Sequence, residues 1–127
     1  MVLDASALIA VFLAEPGEAW VQARLRENND APFRMSWVNA AEVGMSCERK
    51  GKGGGRAAFD GLRRLGVEML QPDFDILALA VEARRDFPLN FGDCFAYAHA
   101  KLLDEPLLTL DADFLKTDLP AVLHPDA

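Results

Sequence analysis

Short apolar runs alternate along the chain with segments of helical periodicity. Met1–Leu3 reads as a short buried strand stopped by Asp4, and an apolar helix follows from Ser6 to about Ala14. Pro16 suits the first turn of a second helix, whose Trp20, Val21 and Leu25 form an apolar face to about Glu27. A turn over Asn28–Pro32 leads to a second strand, Phe33–Val38, and then to a helix from about Ala40 to Lys50 with Asn39 as its N-cap. The run Gly51–Gly55, broken only by Lys52, reads as a flexible connector; it lacks the Gly-Lys-Ser/Thr ending of a phosphate loop. Arg56–Leu65 is helical and closed by Gly66, and Val67–Leu70 is a third strand. Asp73 caps a helix from Phe74 to Arg85, Pro88–Phe91 is a loop, and Gly92-Asp93 opens a helix through Leu103. Pro106–Leu110 is a strand running into Asp111, with an edge strand at Val122–His124. Strands alternating with helices in this way predict an α/β sandwich around a parallel sheet, in one domain over residues 1–127.

Composition agrees with a folded core: 51% of the 127 residues are hydrophobic and 9% aromatic, which argues against disorder. No run reaches the roughly 20 apolar residues of a membrane span. The apolar start, Val2–Ala14, has no basic residue before it and carries Asp4 inside it, so it is not a secretion signal. The expected location is the cytoplasm. Cys47 and Cys94 have no metal-ligand spacing and are expected as free thiols; His99 and His124 stand alone and are expected as packing or surface residues.

A net charge of −7 sits awkwardly with nucleic-acid binding, but its distribution is uneven. Arg49, Lys50, Lys52, Arg56, Arg63 and Arg64 give the stretch 49–64 a charge of +5, against −12 for the rest. This stretch reads either as a solvated face or as a surface that meets phosphates.

Four acids stand where chemistry collects in such sheets, at the carboxyl ends of strands and the starts of helices. Asp4 ends the first strand, Glu42 lies one turn into the helix after the second, Asp93 opens its helix, and Asp111 ends the strand after Pro106. Hard oxygen donors without His or Cys suit Mg²⁺ or Mn²⁺ rather than zinc. Ordinary capping also accounts for Asp93 and Asp111, and Glu42 stands at capping-box spacing from Asn39. Asp4 is harder to explain that way, because an acid directly after a buried strand is poorly solvated without a partner. The residues alone leave both readings open.

The residues around these acids resemble a known family. Val2-Leu3-Asp4-Ala5-Ser6-Ala7-Leu8 is similar to the opening of PIN-domain toxins of the VapC type, and Ser36–Val43 resembles the second motif, carrying Glu42. Leu89–Ala98 closely matches the motif of the third acid, Asp93, and Pro106–Phe114 is similar to the last, with Asp111 or Asp113 as the fourth. The resemblance covers nearly the whole chain. It implies a PIN-like three-layer α/β/α sandwich with a mostly parallel central sheet, and a Mg²⁺- or Mn²⁺-dependent endoribonuclease that hydrolyses RNA with two metals. Asp4, Glu42, Asp93, Asp111 and Asp113 would be the metal-binding acids, and Ser6 and Thr109 the supporting hydroxyls. Arg49, Lys50, Lys52 and Arg56 would hold the RNA backbone. The implied partners are a VapB-type antitoxin and a second copy of the chain. The alternative is a PIN fold that binds RNA or a partner without cutting. A phosphoacceptor receiver is disfavoured because the third strand ends in Leu70-Gln71-Pro72 and Lys116 has no strand-end setting. A HAD-type phosphatase would need an acid where Ser6 stands.

Overall fold

A computed structural model describes residues 1–28 and 31–127. Five strands form the sheet: β1 (Val2–Leu3), β2 (Arg34–Ser36), β3 (Glu68–Leu70), β4 (Leu107–Leu108) and β5 (Val122–Leu123). Every strand pairing is parallel, in the order β3-β2-β1-β4-β5. The helices are α1 (Ala5–Phe12), α2 (Glu18–Glu27), α3 (Trp37–Lys50), α4 (Gly54–Arg64), α5 (Phe74–Asp86) and α6 (Phe91–Leu103), with a 3-10 turn at Ala112–Lys116.

Alternation along the strands divides the core into two halves. Val2 and Leu107 face a cluster built with α5 and α6, while Leu3, Met35 and Leu108 face one built with α1 to α4. A two-residue strand thus serves both helical layers, and the result is the expected α/β/α sandwich. The chain winds outward from β1 through β2 to β3, then returns to lay β4 on the other side of β1. The carboxyl ends of β1 and β4 therefore border the point where strand order reverses, which is where such sheets open a crevice.

Several local expectations shift. The N-cap of α3 is Ser36, not Asn39: the Ser36 hydroxyl accepts from the Val38 amide at 3.2 Å, and Asn39 lies inside the first turn, fully buried. Register sets this boundary, because Ser36 pairs with Leu70 as the last residue of β2. The glycine run is only partly a connector, since Gly54 and Gly55 belong to α4. A Cβ on Gly54 would stand 2.3 Å from the Cys47 carbonyl oxygen, so the closeness of α3 and α4 demands glycine there. The carboxylate of Glu48 accepts from the Gly53 and Gly55 amides at 3.1 and 3.0 Å, doing the work of a cap and holding its own pKa low. Helix α6 begins at Phe91 with Asn90 as its cap, and β4 is shorter than Pro106–Leu110. Asp73 caps α5 as expected. Of the turn expected over Asn28–Pro32, Asn29 and Asp30 lie outside the described residues.

Cys47 and Cys94 are buried free thiols, each pushed up in pKa chiefly by burial. His99 and His124 are buried among packing residues, as expected. Among the described residues no helix is long and apolar enough to cross a membrane. Because Ser36 caps α3, Ser36→Ala should cost about 1 kcal/mol of stability, measured by urea unfolding.

Candidate active site

The site is built on Asp4. This residue sits at the start of α1, yet its side chain does not cap the helix and is only 2% exposed. Its Oδ2 instead accepts from the hydroxyls of Ser6 at 2.7 Å and Thr109 at 2.9 Å. Those hydroxyls lie 3.2 Å apart. They are fixed in turn by the backbone, because the Leu110 amide donates to Ser6 Oγ and the Asp111 amide to Thr109 Oγ1. Ser6 and Thr109 thus tie the ends of β1 and β4 together through one carboxylate. Burial pushes the Asp4 carboxyl above its usual range; the two hydroxyls oppose the rise and the charge of Asp111 adds to it.

Asp93 arrives from the first turn of α6. It closes a capping box with Asn90, each side chain accepting from the other's amide at 2.9 and 3.2 Å. Its pKa is nevertheless raised from 3.8 to about 7, first by burial, then by the charge of Asp4, with the neighbouring Asp111 adding to the rise. Glu42 is raised too, mainly by burial and further by Asp4, against a lowering hydrogen bond from Asn39. Electrostatic coupling therefore links all four acids, although they come from four separate parts of the chain.

Of Asp111 and Asp113, it is Asp111 that lies near the other acids. It faces Asp4 and Asp93 and accepts from the Asp113 amide at 2.9 Å, whereas Asp113 pairs with Lys116 at 3.4 Å. The exposed Arg49, Lys50, Lys52 and Arg56 are not brought to the acids. They gather where α3 ends and α4 begins, with Lys50 about 12 Å along the helix axis from Glu42.

Sequence reasoning missed two residues, Asn39 and Gly92. Asn39 Nδ2 donates to Glu42 Oε1 at 2.8 Å and to the Gly92 carbonyl at 3.0 Å, joining α3 to α6. The signal was the three-residue spacing of Asn39 and Glu42, which fits a capping box equally well.

The donor set suits a hard divalent cation: several carboxylates, raised in pKa by mutual repulsion and burial, are relieved by positive charge. Among the described residues, no three acidic, His or Cys side chains are gathered tightly enough to hold a metal as they stand. The acids meet as coupled pairs, with Glu42 drawn toward Asn39.

Residues 1–119 match the family described as the PIN domain. A protein called ribonuclease VapC from Mycolicibacterium smegmatis is 36% identical over 131 residues, spanning 96% of this chain and 99% of the relative. The chain belongs to the PIN-domain family of VapC ribonucleases. Solved PIN-fold structures superpose on it. VapC20 of Mycobacterium tuberculosis, described as a toxin cleaving the sarcin-ricin loop, has a TM-score of 0.75 at 19% identity, covering 93% of this chain and 95% of its own. A toxin–antitoxin complex from Klebsiella pneumoniae gives 0.74 at 21% identity, covering 96% and 94%. At those identities the likeness speaks for the shared PIN fold alone.

The raised pKa of Asp93 gives the metal-free PIN domain a characteristic pH response. Stability from this group is fully present below about 3.8, its usual value, and is lost as pH rises through about 7. Asp93→Asn should therefore be more stable than the parent at pH 8, with the difference closing toward pH 4, in urea unfolding with a chelator present.

Proposed function

We propose that this PIN domain, taken as one unit over residues 1–127, is a Mg²⁺- or Mn²⁺-dependent endoribonuclease and the toxin of a toxin–antitoxin pair in the cytoplasm. The observation that carries the reading is the convergence of Asp4, Glu42, Asp93 and Asp111 at the carboxyl edge of β1 and β4, with Asp93 poised at about 7. Membership of the VapC ribonucleases supports the substrate class.

In this reading Asp4, Glu42, Asp93 and Asp111 would hold the cation. Mg²⁺ or Mn²⁺ there would offset the carboxylate charge and supply Lewis acidity toward phosphate oxygens and water. Ser6 and Thr109 donate to Asp4 Oδ2 and leave its other oxygen free of them, so the carboxylate is oriented before any ligand arrives. Asp93 is held by the α6 cap, which fixes it against Asp111. The basic residues Arg49, Lys50, Lys52 and Arg56 would meet RNA backbone some 12 Å away along α3, as secondary contacts.

The antitoxin is expected to be of the VapB type, in line with the Klebsiella complex that shares the fold. An acidic crevice accepts an arginine from such a partner through charge-assisted bonds. Exposed Phe74, Val81 and Phe91 give α5 and the start of α6 an apolar face suited to a second copy of the chain.

RNA cleavage should stop with chelator and return with Mg²⁺ or Mn²⁺. Asp4→Asn and Asp93→Asn should each lower the rate roughly a hundredfold or more. Cleavage at the parent rate by both variants would defeat the proposed site and leave a PIN fold that binds without cutting. Asp111→Asn should lose activity while Asp113→Asn retains most of it, as gel assays of a defined RNA would read directly.

A further inference from the structure

Glu42 and Asp93 reach the site from α3 and α6, and the gap between those helices is filled in an unusual way. Asn39 is fully buried and spends both amide protons locally, one on Glu42 Oε1 and one on the Gly92 carbonyl. Among the described residues its Oδ1 has no hydrogen-bond partner. Turning the amide over would set its oxygen against a carboxylate and a carbonyl, so only the observed orientation is hydrogen-bonded. A buried acceptor left without a partner is costly, and a purely structural position would be better served by an apolar residue.

Gly92 supplies the other half of the arrangement. A Cβ built there would stand 2.0 Å from Glu42 Oε1, 2.4 Å from its carboxyl carbon and 2.6 Å from Oε2, its three nearest neighbours. The nearest obstacle is the Glu42 carboxylate itself. Gly92 lies in the first turn of α6, where glycine is a poor helix former, directly before Asp93.

We propose that Asn39 and Gly92 form a seat for the Glu42 carboxylate and thereby set its distance from Asp93, acting as positioning residues for RNA cleavage. The proposal rests on the reading of Glu42 as a site acid. The seat fixes Glu42 from two directions: Asn39 pulls on one oxygen, and the missing side chain at 92 leaves room for the whole group. Asn39 also holds the carbonyl of the residue before Asp93, so a shift of either acid is felt by the other. A side chain at 92 would expel a carboxylate that Asn39 prevents from swinging freely aside.

The test compares Gly92→Ala, Glu42→Ala, their double variant and Asn39→Asp, which keeps the volume of Asn39 but removes both donated bonds. Gly92→Ala and Asn39→Asp should each lower kcat about 10- to 100-fold with KM for RNA changed less than about twofold, since they act through a ligand rather than on substrate. Titration of the protein alone with Mn²⁺, followed by electron paramagnetic resonance, should show weaker binding in Gly92→Ala. Melting temperature gives a readout independent of activity. Gly92→Ala should lower it when Glu42 is present, and should leave it unchanged or raise it in the Glu42→Ala background, where the space is empty. An equal melting penalty in both backgrounds, or parental kcat for Gly92→Ala alongside an inactive Glu42→Ala, would overturn the seat. If Glu42→Ala cuts RNA at the parental rate, the assignment of Glu42 as a site acid falls, and the melting cycle alone then decides whether the seat exists.

Discussion

A carboxylate buried at the end of the central strand is costly unless its oxygens are met, and in this protein two hydroxyls from distant parts of the chain meet one of them. Asp4 follows β1, Ser6 stands two residues on in the first turn of α1, and Thr109 follows β4, the strand laid beside β1. The backbone amides of Leu110 and Asp111 complete the arrangement by donating to those hydroxyls. Parallel pairing of β1 with β4 is thus joined at its carboxyl end by a polar lock, and that lock delivers Asp111 to the crevice. The network satisfies one side of Asp4 only partly against burial, which is why its pKa remains raised.

The site therefore spends stability that the rest of the fold supplies. Two apolar clusters flank the sheet, and strands as short as two residues contribute a side chain to each. With both faces so firmly held, the edge where strand order reverses can tolerate four coupled acids. The same elements carry both tasks: the cap of α6 contains Asp93, and the first turns of α3 contain Asn39 and Glu42. Capping and a place among the clustered acids are not rival explanations for Asp93. Its backbone role is what aims it.

Much of the fold was legible because strand and helix periods differ and because strand ends are punctuated by Asp4 and Asp111. What could not be read locally was decided by tertiary contact. Asn39 is expected as a cap when the second strand is read through Val38; pairing of Ser36 with Leu70 ends that strand earlier and hands the cap to Ser36. Gly54 and Gly55 read as flexible because their reason is the nearness of α3, which the sequence does not announce. Asp111 and Asp113 share one motif and one charge. Only the 3-10 turn that points Asp113 toward Lys116 separates them. Gly92 gave no signal beyond its motif, since the space it leaves is filled by a residue fifty positions away.

The lock between Asp4 and Thr109 also bears on how such a protein is made. Ribosomes deliver Asp4 first and Thr109 more than a hundred residues later, so the central carboxylate has no hydroxyl from β4 for most of synthesis. Strand β1 likewise waits for β4 on one side, while β2 and the α3–α4 hairpin assemble early on the other. A growing chain therefore carries Asp4 without Thr109, and Glu42 and Asp93 without Asp111. The site is whole only once Thr109 and Asp111 have joined Asp4 at the shared edge of β1 and β4.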